Sequence, residues 1–250
     1  MLINNQLITT FIVGFTSTAL GMLIGLSLSL LVSNKAKICQ GIVLGLVSGI
    51  MISMLVLDLL PEAFSYYSTL VGLLGLIIGL ICARVMDINF EASLSKSKYK
   101  KRTKKTGFKT GSLISVSIIV HDILVGTTLG SILCISFKQG INLAFILCIE
   151  ATLDGLSMAI PFLQSGVRTI KIIIISIIVS FPLGIGSFLG GLFHMPPIII
   201  SLSLGFASGF VLYITFFNVL PISKKMPGGR AAIPSSIAGI IAGIILLNYI

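Results

Sequence analysis

Charged residues are scarce in this chain. They make up 10% of its 250 residues, whereas 56% of the residues are hydrophobic. A soluble domain carries roughly 25% charged residues, and disordered segments are poor in apolar residues and rich in charge. The composition therefore excludes both classes, and the mean hydropathy of +1.14 favours a polytopic membrane protein.

Acidic residues, tryptophan and paired cysteines are also rare or absent. Seven Asp and Glu face 17 Lys and Arg, which gives a formal net charge of +10, and there is no Trp. The basic residues lie between apolar runs, so membrane orientation explains them better than binding to nucleic acid. The four cysteines form no CxxC pair and are interpreted as thiols facing lipid or the core. The motifs HExxH and GxSxG are absent, so we expect no enzyme.

Long apolar runs divide the chain into eight predicted spans. A helix needs about 20 mostly apolar residues to cross the hydrocarbon core of a bilayer. We therefore predict an all-α membrane protein that forms a single polytopic membrane domain over residues 1–250. The predicted spans are approximately 7–32, 41–60, 70–86, 112–135, 141–164, 172–193, 198–222 and 233–250.

The positions of the basic residues predict the orientation. The connections after spans 1, 3, 5 and 7 hold two, nine, two and three of the 17 basic residues, and Lys138 alone lies on the other side. Because Lys and Arg accumulate in cytoplasmic loops, we expect both termini to be extracellular and the protein to lie in the plasma membrane. The connection 87–111 is predicted to be a basic, mobile cytoplasmic loop, which would contact anionic membrane lipid.

Two segments that end in Leu-Pro predict an internal repeat. The segment GLVSGIMISMLVLDLLPEA begins at Gly45 and matches GFASGFVLYITFFNVLPIS from Gly205, at a constant offset of 160. We call this pairing the repeat register, and it places Asp58 on Asn218. The charge pattern gives the two segments opposite directions, so we predict outer repeats of inverted topology, as many secondary transporters have. Spans 4 and 5 are similar at an offset of 29, where His121-Asp-Ile-Leu-Val-Gly matches Glu150-Ala-Thr-Leu-Asp-Gly.

Ionisable residues lie near the middle of spans 4 and 5. Each costs at least about 2.5–3.5 kcal/mol at the bilayer centre unless it pairs, meets water or has a function. Glu150 and Asp154 are four residues apart, so on a helix they share one face and can hold one cation. His121 adds a nitrogen, and Asp122 adds an oxygen either to the same ion or to a neighbouring position. This donor set favours Zn²⁺, Fe²⁺ or Mn²⁺ over Ca²⁺ and Mg²⁺. The alternative is a proton relay or a structural polar network.

A second acidic pair lies at the predicted outer end of span 2. Asp58 and Glu62 are four residues apart on either side of Pro61. We interpret them as a candidate entrance that attracts cations. An ordinary interfacial carboxylate is the alternative for Glu62.

These segments resemble the ZIP family of divalent metal transporters, in particular its bacterial branch. The residues that carry the resemblance are HDILVG from His121, EATLDGLSMAIP from Glu150 and LLPEA from Leu59. The resemblance covers almost the whole chain and implies eight spans and a two-metal centre on spans 4 and 5. By position, His121, Glu150 and Asp154 match the primary site, and Asp122 matches a ligand of the second site.

The chain departs from the family pattern at several ligand positions. Val125 replaces the span 4 glutamate, Leu124 and Leu153 replace the motif prolines, Ala151 replaces a polar ligand, and Leu183 stands near a usual span 6 glutamate. We therefore predict a single metal position.

The leading functional hypothesis is uptake of a divalent transition metal such as zinc. The metal is the transported substrate and not a cofactor. A proton-coupled transporter of another solute and a transport-inactive relative remain alternatives. Divalent metal and membrane lipid are the expected partners, with a homodimer left open.

Overall fold

The fold is built from helices alone in the part of the chain that the structure describes. The computed structural model describes residues 2–35, 39–95, 102–193 and 196–249. Eight helices are long and apolar enough to cross a membrane, which confirms the predicted all-α, multi-pass class. They are α1 Leu2–Lys35, α2 Gln40–Ser65, α3 Thr69–Ser95, α4 Arg102–Ile135, α5 Phe137–Ser165, α6 Thr169–Leu192, α7 Pro197–Lys225 and α8 Ala232–Tyr249.

The eight helices pack as two groups of four. The first group contains α1, α4, α5 and α6, and the second contains α2, α3, α7 and α8. Within each group long stretches of helix are in contact, while the groups meet mainly where α4 lies against α7 and α2 lies against α5. The predicted site helices α4 and α5 therefore pack with α1 and α6 inside one group.

Close glycine contacts in the second group recur in the repeat register. A methyl group on Gly49 of α2 would overlap the carbonyl oxygen of Ser236 in α8, and one on Gly209 of α7 would overlap that of Leu76 in α3. Gly49 matches Gly209, and Leu76 matches Ser236, at the same constant offset. Small residues let helix backbones approach closely in a membrane, so these glycines fix the packing of α2 on α8 and of α3 on α7.

The first group has repeated glycine contacts of its own. Gly25 of α1 lies against the carbonyl oxygen of Thr152 in α5, and Gly190 of α6 lies against that of Thr127 in α4. Gly186 of α6 likewise lies against the carbonyl oxygen of Ile123 in α4. Ile123 lies 29 residues before Thr152, which is the predicted offset. The glycine contacts therefore include a pair in the predicted register of spans 4 and 5, and that register stays a prediction.

Both Leu-Pro segments contain a widened turn of helix. Residues Leu55–Leu59 and Thr215–Val219 match in the repeat register and form π-helical turns just before Pro61 and Pro221. Proline cannot donate the backbone hydrogen bond of a regular helix and clashes with the carbonyl four residues earlier. A wider π-helical turn makes room for the proline ring and does not need the missing hydrogen bond. Asp58 and Asn218 lie on these turns.

The predicted mobile loop 87–111 is largely helical. Helix α3 continues through Ser95 and α4 begins at Arg102, and residues 96–101 lie outside the described part. The prediction was wrong because it ended span 3 where apolar residues ended, although a helix can continue beyond the hydrocarbon core with a polar surface.

Candidate functional site

A cavity of about 210 Å³ lies between the two helix groups. It has room for several water molecules beside an ion. Five ionisable residues line it, and no lysine or arginine is among the described residues of its wall. The ionisable residues are Asp58, Glu62, His121, Glu150 and Asp154.

His121 and Glu150 form the closest polar contact in the wall. The Nε2 atom of His121 on α4 lies 3.2 Å from Oε1 of Glu150 on α5. The Nδ1 atom of His121 is buried and has no hydrogen-bond partner among the described residues. The histidine side chain is 9% exposed and that of Glu150 is 27% exposed, so Glu150 is the more accessible of the pair.

Asp154 lies one turn further along α5 and lines the same cavity. This confirms that the spacing of four residues directs Glu150 and Asp154 to one face of the helix. Neighbouring hydroxyls bond locally, as expected, since the Ser157 hydroxyl donates to the carbonyl oxygen of Asp154 at 2.9 Å. Val125, which stands where the resemblance implies a glutamate, contributes an apolar part of the wall.

Asp122 is not brought to this site. It is 4% exposed, does not line the cavity, and its Oδ2 atom has no hydrogen-bond partner within the described ranges. Asp122 follows His121 directly, so its side chain points about 100° further around α4. Asp122 is therefore not grouped with the other three residues around this cavity, and its role as a metal ligand stays a prediction.

The entrance pair is closer to the central residues than the sequence predicts. Asp58 lies on the π-helical turn of α2, lines the same cavity and interacts electrostatically with Glu150. Glu62 lines the cavity one turn further out. Tyr66, beyond the end of α2, bonds to Glu62, and burial together with the Glu62 charge raises the pKa of the Tyr66 phenol.

Two cavity hydroxyls were not predicted. Ser117 lies four residues before His121 on α4, and Thr215 lies on the π-helical turn of α7. The spacing to His121 was a usable signal for Ser117, because residues four apart share a helix face. Nothing in the sequence marked Thr215.

The acidic side chains of the cavity are separated from one another. Across the described ranges, no three His, Cys, Asp or Glu side chains converge closely enough to hold one ion together. The arrangement is an acidic, membrane-embedded cavity with one histidine, and its carboxylates come from both helix groups. Asp58 and Glu62 belong to the second group, and Glu150 and Asp154 belong to the first.

Comparisons with protein families and with curated proteins give no match. No protein-family model matches the chain, and no curated protein matches it significantly.

Proposed function

We propose that the protein takes up a divalent transition-metal cation, such as Zn²⁺, across the plasma membrane through this cavity. The observation that carries the proposal is the composition of the cavity wall. Four carboxylates and one histidine line it, without a lysine or arginine among its described residues. Uncompensated carboxylates inside a membrane are costly, and a bound dication would offset their repulsion.

The donor types support a transition metal as the substrate. His121 offers its Nδ1 nitrogen, which lacks a protein partner in the described part of the chain. Glu150 and Asp154 offer carboxylate oxygens. A mixed nitrogen and oxygen set suits Zn²⁺, Fe²⁺ or Mn²⁺ better than Ca²⁺ or Mg²⁺, which prefer oxygen ligands. The sequence resemblance to ZIP transporters points the same way.

Two further features support transport over static binding. The carboxylates of the wall belong to two separate helix groups, so relative movement of the groups would change the distances between ligands. The recurrence of glycine contacts and π-helical turns in the repeat register supports an internal repeat. The basic connections give that repeat an inverted topology with both termini outside.

The experiment is metal uptake by the purified chain in proteoliposomes, measured across a panel of divalent ions. Glu150→Gln and Asp154→Asn each remove one charge at nearly constant shape. We expect either change to lower uptake at least about tenfold, which corresponds to about 1.4 kcal/mol. The matched control is Glu91→Gln, which removes a carboxylate that is 72% exposed and lies outside the cavity.

The outcomes separate the proposal from its alternatives. Metal-dependent uptake that falls in both variants and persists in the control supports the proposal. Full uptake and metal binding in folded Glu150→Gln and Asp154→Asn would overturn it. Uptake of a proton without any metal would favour the proton-coupled solute transporter, and metal binding without uptake would favour the transport-inactive relative.

A further inference from the structure

The cavity is closed at one end and accessible at the other. Ile114, Ser117 and Ile118 line it on the N-terminal side of His121 in α4 and are only 2%, 3% and 3% exposed. Towards the other end, the side chain of Glu150 is 27% exposed and Asp58 belongs to the exposed class. The closed end is therefore the one next to the basic connection between α3 and α4.

Apolar side chains from both helix groups fill the closed end. Ile114 and Phe162 from the first group lie in one buried core cluster with Leu44, Val47 and Ile222 from the second. Such a cluster excludes water while the groups stay together. It is not directional, however, and does not by itself fix how the groups are aligned.

A buried ion pair joins the groups at the same end. Lys109 Nζ of α4 lies 2.9 Å from Asp87 Oδ1 of α3, and their side chains are 16% and 10% exposed. The Tyr213 hydroxyl of α7 donates to Asp87 Oδ2 at 3.1 Å, and Arg84 donates to the Tyr213 hydroxyl at 3.1 Å. Asp87 thus accepts a hydrogen bond from Tyr213 within the second group and forms an ion pair with Lys109 of the first group.

A second polar contact crosses the groups beside the first. Gln164 Nε2 at the end of α5 donates to Gln40 Oε1 at the start of α2 over 2.7 Å, and Gln40 is 5% exposed. By contrast, two hydrogen bonds around the open end stay inside the second group. The Ser201 hydroxyl of α7 donates to the carbonyl oxygen of Ala63 in α2, and Tyr66 bonds to Glu62 of the same segment.

We propose that the Asp87–Lys109 ion pair and the Gln40–Gln164 hydrogen bond form a two-part latch that holds the basic-loop end of the cavity closed. Opening at that end separates both pairs. A buried charge that loses its partner is strongly unfavourable, so the latch stays closed until water or a cargo-driven movement compensates Asp87 and Lys109. The inference rests on the proposed function in one respect, because closing one end of the cavity has a role only if the protein transports a substrate through it.

The test measures access to the cavity and needs no metal. In a chain with its four cysteines replaced by serine, Ser117→Cys places a reporter thiol at the closed end. A membrane-impermeant thiol reagent is applied to inside-out and right-side-out vesicles. When the latch residues are unchanged, we expect the reagent applied on the basic-loop side to modify the thiol at position 117 slowly. Lys109→Met should increase that rate about tenfold, an equilibrium shift equivalent to about 1.4 kcal/mol.

A second variant and a control keep the test decisive. The double variant Gln40→Leu with Gln164→Leu removes the hydrogen bond of the latch without leaving a buried charge. It therefore tests the latch even if Lys109→Met fails to fold. Glu91→Gln removes the 72% exposed second partner of Lys109 and should leave the rate unchanged. The proposal would be overturned if the folded latch variants showed an unchanged rate of thiol modification from the basic-loop side. An equal increase of the rate from both sides would also overturn it. Failure of metal uptake would leave this result intact and would count against the proposed function alone.

Discussion

At the residue scale, neighbouring positions on one helix have different surroundings. His121 reaches the cavity and Glu150, whereas Asp122 is buried outside the cavity wall. The sequence showed that both are ionisable and central, which was enough to predict a polar site. It could not show which face of α4 borders the cavity, because α4 is apolar on several sides and packs against α5, α6 and α7.

Asp122→Asn distinguishes a ligand from a buried bystander. Because Asp122 does not line the cavity, we expect this variant to keep metal uptake within about threefold of the unchanged chain, or less than about 0.7 kcal/mol. Glu150→Gln, measured in the same proteoliposomes, provides the comparison. A loss in Asp122→Asn as large as in Glu150→Gln would restore Asp122 to the ligand set.

At the element scale, the helices were predicted better than the polar segments that join them. Runs of apolar residues identified all eight spans because hydrocarbon thickness sets a minimum length. The ends of α3 and α4 were missed, and with them Asp87 and Lys109, since charges in a polar segment look like a solvated loop. Their pairing depends on the packing of α3 against α4, which no local pattern in the sequence records.

The glycine contacts make a prediction about how the helices pack. Gly49→Val should push α2 away from α8, and Gly209→Val should push α7 away from α3, because each new side chain would overlap a partner backbone carbonyl. Overpacking of this kind costs typically about 1–3 kcal/mol, so we expect both variants to unfold at lower temperature in detergent.

Ala242→Val is the matched control for these two variants. Ala242 is an exposed position of α8, so the two carbon atoms that valine adds do not have to fit into the core. Its thermal unfolding should be unchanged. If Gly49→Val and Gly209→Val unfolded at the same temperature as this control, the tight packing in the repeat register would be contradicted.

At the scale of the whole molecule, the two helix groups explain why the cavity and the latch are at different depths. Carboxylates from both groups line the accessible end of the cavity near Asp58 and Glu150, and the cross-group polar contacts lie near Lys109 and Gln40. The Leu-Pro segments predicted the register in which glycine contacts and π-helical turns recur in the second group. The sequence did not predict that α4 and α5 join α1 and α6, because grouping depends on long-range packing.

The proposed orientation of the molecule rests on the distribution of charge and can be tested at two exposed lysines. Lys138 lies at the start of α5, and Lys224 lies near the end of α7. Because positively charged connections stay in the cytoplasm, a cysteine replacing Lys138 should react with an impermeant thiol reagent outside intact cells. A cysteine replacing Lys224 should react only after the membrane is opened. The background is the chain without its native cysteines, and reaction of the Lys224 position in intact cells would reverse the proposed topology and place both termini inside.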